Sequence, residues 1–142
     1  MAVDTNLFTE KFRPQKLDQL IVPPRVRAQL EEGLIQNILL YGSPGNGKTS
    51  SLFIMAKDHP YLYINASDQR GINIIRDNLI PFCSSISLEE GKNKLKCVIL
   101  DELDGATAEF FQALRAVMEK FAKTTRFIAS CNFFNKIPAP IW

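Results

Sequence analysis

Four short runs crowd apolar residues together: Asn37–Tyr41 (NILLY), Tyr61–Asn65 (YLYIN), Lys94–Asp101 (KLKCVILD) and Arg126–Cys131 (RFIASC). Their β-branched and aromatic content, bounded by turn residues, predicts four β-strands. Between them the apolar spacing becomes helical. Helices are expected over residues 48–58, over 71–80 with a stop at Pro81, and over 106–121, where Phe110, Leu114, Val117 and Phe121 recur on one face. A further helix at about 24–34 and an extended, proline-containing segment over 8–23 precede the first strand. Strands alternating with helices imply an α/β fold, a parallel sheet flanked by helices and joined by right-handed crossovers. The stretch NKIPAPIW runs as a loop directly after the fourth strand, so the sheet is expected to be unfinished.

Composition adds bounds to this pattern. A chain of 142 residues is about one domain, and 46% apolar content is ample for a core. The net charge of +2 gives no strong whole-molecule field, so any contact with nucleic acid must come from locally placed groups. The N-terminal stretch MAVDTNLFTEKFRPQ carries charges where a signal peptide would be apolar, and no run approaches the ~18 apolar residues of a membrane span. A cytoplasmic protein without membrane contact is expected. Cys83, Cys97 and Cys131 lack metal-type spacing, and Cys97 and Cys131 sit in apolar runs, so buried reduced thiols are expected. His59, alone in the turn KDHPY, reads as a surface loop residue.

The first strand runs straight into Gly42-Ser43-Pro44-Gly45-Asn46-Gly47-Lys48-Thr49-Ser50, which has the Gly-x-x-x-x-Gly-Lys-Thr spacing of a phosphate-binding loop between strand and helix. Chance would produce that spacing on the order of once in a few hundred chains of this length, before the context is counted. The chemistry accounts for the residue types. Gly42, Gly45 and Gly47 let backbone amides curl around phosphate oxygens, and the following helix turns its N-terminal dipole toward the same anion. Lys48 would bridge the β- and γ-phosphates of ATP, and Thr49 would offer its hydroxyl to Mg2+.

A phosphate cradle alone hydrolyses nothing. The third strand, CVILDE, ends in Asp101 and Glu102 at the sheet edge where parallel α/β folds bind ligands. Asp101 is placed to hold magnesium through water, and Glu102 to polarise the attacking water. Such a pair by itself is often only a solvated helix cap; one βα unit beyond a phosphate loop, the catalytic reading is the stronger. The fourth strand delivers Ser130 and Asn132 to the same edge, where Asn132 could touch the γ-phosphate or the water, although asparagine is also a routine turn residue.

Together these residues resemble the AAA+ clamp-loader ATPases, specifically the small subunits of replication factor C and, more closely, the large clamp-loader subunit of tailed phages. EKFRPQKLDQLIVPP resembles the family's adenine-binding box, INASDQRGINIIRDNL its Asn-Ala-Ser-Asp-x-Arg-Gly box, FFQALRAVMEKF its central helix, and FIASCNFFNKIPAPI its sensor-1 strand. Phe12 stands where the family usually has tyrosine, IVPP where cellular members carry Val-Gly-Gln, and Leu103 where Asp-Glu-Ala-Asp has alanine. The resemblance implies that residues 1–34 form an adenine-binding arm and first helix, and 35–142 the βα core of an AAA+ domain whose last strand and lid are missing. Phe12, Arg13, Pro14, Ile21 and Val22 would line the adenine pocket; as bare residues they suit an arm packed on the sheet equally well.

The same resemblance implies a DNA-stimulated ATPase, binding ATP and Mg2+, in a hetero-oligomer, a pentamer, of clamp-loader subunits that opens a sliding clamp and places it on primer–template DNA. Its place would be the host cytoplasm for a phage protein, or the nucleus for a eukaryotic one. Arg70 matches a basic residue that restrains the catalytic glutamate until DNA arrives. Arg76 and the amides near Gly71 and Ile72 would contact the DNA backbone. Gln112, Arg115 and Glu119 form a polar stripe on the central helix, either a solvated face or a coupling path between DNA, neighbour and nucleotide. A trans-acting arginine, worth roughly 10³–10⁵ in rate elsewhere, belongs to a later family motif, so residues 1–142 alone are expected to bind ATP and barely hydrolyse it. The alternatives are another AAA+ DNA-dependent ATPase, an initiator or branch-migration helicase, or a nucleotide-binding scaffold that does not hydrolyse.

Overall fold

A computed structural model describes residues 12–68, 71–86 and 95–142. Strands β1 (Ile38–Tyr41), β2 (Tyr61–Asn65), β3 (Lys96–Asp101) and β4 (Thr125–Cys131) form one sheet in the order β1-β4-β3-β2, with every pairing parallel. β4 therefore inserts between β1 and β3. This order brings the C-terminal ends of β1, β3 and β4 side by side, which is the edge that carries the phosphate loop, the acidic pair and Asn132.

The strands alternate their side chains between two cores. From β3, Val98 and Leu100 join Ile64, Leu79, Phe110, Leu114 and Phe127 on one face, while Cys97 and Ile99 join Leu30, Leu52, Met55 and Ile128 on the other. Every residue of β3 is buried, as expected of a central parallel strand covered on both faces. Its first residue, Lys96, is also buried, and its ammonium donates to the carbonyls of Phe82 (2.7 Å) and Ser85 at the end of the preceding helix. That satisfies carbonyls the helix leaves open, at the end its dipole makes favourable to a cation.

Helix α1 (Pro24–Glu32) opens on a proline and stops before Gly33, whose φ of 79° most side chains avoid. Helix α2 (Lys48–Ala56) follows the phosphate loop. Helix α3 departs from the expected pattern. It does not stop at Pro81 but runs as an α-turn (Gly71–Ile74), a π-helical turn (Ile75–Leu79) and a second α-segment (Ile80–Ser84). Proline lacks an N–H and crowds the carbonyl four residues back; the wide turn, closed by the Ile80 N–H on the Ile75 carbonyl, carries the chain past it. Burial of Leu79 and Cys83 on either side of Pro81 keeps the helix on the core. Helix α4 (Ala108–Lys120) is capped by Thr107, whose hydroxyl accepts the Phe110 N–H at 3.2 Å. The expected start at 106 thus moves two residues on, because Leu103–Gly105 forms a separate 3-10 turn.

The turn KDHPY is also more integrated than a surface loop. His59 is half-buried, with Nδ1 3.0 Å from the Leu95 carbonyl, and ties the β2 entry to the β3 entry. All three cysteines are buried, and desolvation pushes the Cys97 thiol up to about 12. Among the described residues no helix is long and apolar enough to cross a membrane.

Candidate nucleotide site

A cleft of about 620 Å³ opens at the C-terminal edge of the sheet. Its walls are Pro44, Gly45 and Gly47 to Ser50 on one side, Asp101, Glu102, Ser130, Cys131 and Asn132 on the other, and Phe12, Arg13 and Pro14 of the arm. In the loop Gly42, Gly45 and Gly47 have φ of 148°, 81° and 74°. Added Cβ atoms at these three would approach nothing closer than 3.6 Å, so conformation rather than space calls for glycine. Gly42, Ser43 and Asn46 belong to the loop without lining the cleft. Lys48 Nζ donates to the carbonyls of Gly42 (2.9 Å) and Ser43 (2.7 Å), and Ser51 closes the loop on Gly47 O at 2.8 Å.

Asp101 sits at the centre of a convergent set of donors. The Thr49 hydroxyl lies 3.0 and 3.1 Å from its two oxygens, the Tyr63 hydroxyl donates to Oδ2 at 3.2 Å, and Ser130 Oγ donates to Oδ1. The Glu102 N–H lies 3.2 Å from both Oδ1 and Ser130 Oγ. Burial, and then the neighbouring Asp101 charge and hydrogen bond, push the Tyr63 hydroxyl up to about 12, so it remains a donor. Tyr63 is not among the residues the sequence singles out, and Ser67 enters there only as part of the INASDQRGINIIRDNL box. The β2–β3 register, with Asn65 opposite Asp101, is what delivers them.

Glu102 is the one non-glycine residue with positive φ (53°) among those described. Its carboxylate points toward the end of β2, where Oε2 accepts from Ser67 Oγ (2.7 Å) and lies 3.4 Å from Asn65 Nδ2. Asp104 accepts the backbone N–H groups of Asn132 (3.3 Å) and Phe133 (3.1 Å), joining the turn after β3 to the loop after β4.

Other candidates do not line the cleft itself. Ile21, fully exposed, and Val22 border a smaller pocket of about 400 Å³ alongside Gly45, Asn46 and Gly47. Gly71 opens α3 and Arg76 is exposed in its π-turn. Gln112, Arg115 and Glu119 occupy the exposed face of α4, with Arg115 and Glu119 paired at 3.0 Å. Arg70 lies outside the described residues. No group of three or more His, Cys, Asp or Glu suited to a metal occurs among the described residues. Thr49 and Asp101 remain as a sparse oxygen set of the kind that suits a cation carried largely by phosphates and water.

The family model described as "ATPase family associated with various cellular activities (AAA)" matches residues 38–142. The chain belongs to this family. It is 39% identical to replication factor C small subunit 1 of Pyrobaculum arsenaticum over 93% of this chain and 43% of that protein. It is 37% identical to the replication factor C small subunit of Methanocella arvoryzae over 99% of this chain and 46% of that protein. The chain thus spans less than half the length of these AAA relatives. Among solved structures, the Thermotoga maritima RuvB Holliday junction branch migration motor superposes with a TM-score of 0.69 at 18% identity, covering 91% of this chain and 45% of that one. At that identity the likeness shows the AAA fold alone.

Proposed function

We propose that this AAA chain is the ATP-binding and hydrolysing core of a clamp-loader subunit. The carrying observation is the Thr49–Asp101 hydrogen bond, which ties the phosphate loop to the strand end that also bears Glu102 and faces Asn132. The similarity to replication factor C small subunits extends across the arm that the family match leaves out. In this reading the loop amides and Lys48 hold the ATP phosphates, with Lys48 exchanging the Gly42 and Ser43 carbonyls for phosphate oxygens. Phe12, Arg13 and Pro14 flank the base. Thr49 and Asp101 would hold Mg2+, which neutralises phosphate charge when bound. Glu102 takes the proton of the attacking water, and Asn132, set by Asp104, orients it.

The partners are other loader subunits, a sliding clamp and primer–template DNA. Arg70 is the proposed DNA-responsive restraint on Glu102, with Arg76 and the start of α3 at Gly71 on the DNA backbone and the Gln112, Arg115 and Glu119 stripe as the coupling face. A branch-migration role has only the fold likeness behind it. Two measurements test the proposal. Lys48→Ala should lower ATP affinity about a hundredfold; equal affinity for both proteins refutes the cradle. In the assembled loader, clamp and primer–template DNA together should stimulate turnover, and an ATPase indifferent to both refutes the loader.

A further inference from the structure

The donors on Asp101 are not equivalent. Oδ1 is engaged by Ser130, which is tied in turn to the Glu102 N–H, whereas Tyr63 is on Oδ2; the Thr49 hydroxyl straddles the two oxygens at 3.0 and 3.1 Å, so its direction follows the plane of the carboxylate. A threonine hydroxyl has one proton and two lone pairs. If Thr49 directs its proton to Asp101, its lone pairs are left to face a cation, so the direction of the Thr49 hydroxyl depends on where the Asp101 carboxylate lies. Rotation of that carboxylate would carry Oδ2 away, and Tyr63 is the second group that pins it.

Tyr63 is itself held by ring contacts. Its ring stacks on Phe53 of α2 with centroids 5.3 Å apart and planes 22° apart, and the Arg13 guanidinium lies 5.3 Å from the Phe53 centroid on the arm side. Tyr61, two residues earlier on β2, meets the same Phe53 ring edge-on at 6.0 Å and has no hydrogen bond to Asp101.

We infer that Tyr63 is a positioning residue for the metal side of the site: its hydroxyl, fixed by the Arg13–Phe53–Tyr63 stack, holds Asp101 Oδ2 where Thr49 can present its lone pairs to the nucleotide's divalent cation. This deepens the ATP reading and rests on it. The consequence is selective. Removing the hydroxyl should weaken the magnesium-dependent part of ATP binding and leave the magnesium-independent part intact.

The test is the affinity of the 142-residue chain for a fluorescent ATP analogue, in excess Mg2+ and in EDTA. Tyr63→Phe keeps the ring and should bind about fivefold to tenfold more weakly in Mg2+ and equally in EDTA, the size expected for one ordinary hydrogen bond. Phe53→Leu keeps the hydroxyl but loosens the stack, and should lose about twofold to threefold more in Mg2+ than in EDTA, any loss common to both buffers reporting the Arg13 contact. Tyr61→Phe should match wild type in both buffers. An unchanged magnesium enhancement in Tyr63→Phe, or an equal loss in both buffers, overturns the positioning role while leaving the ATP site standing. A wild-type chain that binds the analogue in neither buffer overturns the ATP reading as well.

Discussion

Asp101 and Glu102 are adjacent carboxylates in opposite surroundings. Asp101 ends a fully buried strand, is 6% exposed and receives three hydroxyl groups and a backbone N–H. Glu102, one residue on, has left the strand through a left-handed backbone conformation, is exposed, and is held by the turn after β2. One carboxylate is fixed by its own strand and its neighbours; the other is exposed beside the cleft and held through the side chains of Ser67 and Asn65. A fixed group suits holding a cation, and a movable one suits a base that must be withheld and then released. The contrast turns on φ at Glu102: a β conformation there would send its side chain to the opposite face from Asp101.

The sharpest way to break this contrast is to remove only the basicity of Glu102. Glu102→Gln keeps shape and hydrogen-bonding capacity, and in the proposed loader assembly it should cut turnover by about 10²–10⁴ while ATP affinity stays within about twofold. Single-turnover hydrolysis and equilibrium binding, measured on the same preparation, check both halves. A similar loss of affinity would make Glu102 a second binding group like Asp101 and erase the distinction.

The next largest effect tests what holds Glu102 near β2. Gly105, in the turn after the acidic pair, comes so close to Ser67 that an added Cβ would lie 2.7 Å from Ser67 Cβ and 3.2 Å from its backbone Cα. Backbone is involved, so the overlap is not relieved by a rotamer change. Gly105→Ala should destabilise the chain by about 1–3 kcal/mol, read from denaturant midpoints at constant m-value. A neutral result would show the two turns to be independent.

How much of this was legible in the sequence follows from the range of the interactions. The phosphate loop and Asp101-Glu102 are local signals on strand ends, and the structure places both on one edge. Pro81 misled because a local rule was overridden by burial of Leu79 and Cys83, at the cost of a π-turn. Tyr63 carries no local signal, and Asn65 and Ser67 are legible only as members of the INASDQRG box; their contacts with the acidic pair depend on β2 lying beside β3 in the register that sets Asn65 against Asp101. Apolar patterning identifies strands but not their neighbours. Likewise nothing local to Asp104 reveals that it receives the amides of a loop reached through β4.

The smallest expected effect is the most informative about Glu102. Ser67 Oγ lies 2.7 Å from Glu102 Oε2 and 2.6 Å from Asn65 Oδ1, and one hydroxyl proton serves one of them at a time. The Ser67 N–H also donates to Asn65 Oδ1 at 2.9 Å, so the turn keeps its shape without the hydroxyl. Ser67→Ala should therefore change stability by no more than about 1 kcal/mol, since Glu102 is exposed and water replaces the lost donor. Turnover is the telling measurement. If Ser67 withholds Glu102, basal hydrolysis in the proposed loader assembly should rise about twofold to fivefold, and the stimulation by primed DNA expected there should shrink in proportion. If instead the hydroxyl aims Glu102 at the water, both rates should fall together and the stimulation ratio should hold. A fall in both rates would place Glu102 beside Asp101 as a fixed group, and the division of labour between the two carboxylates would be lost.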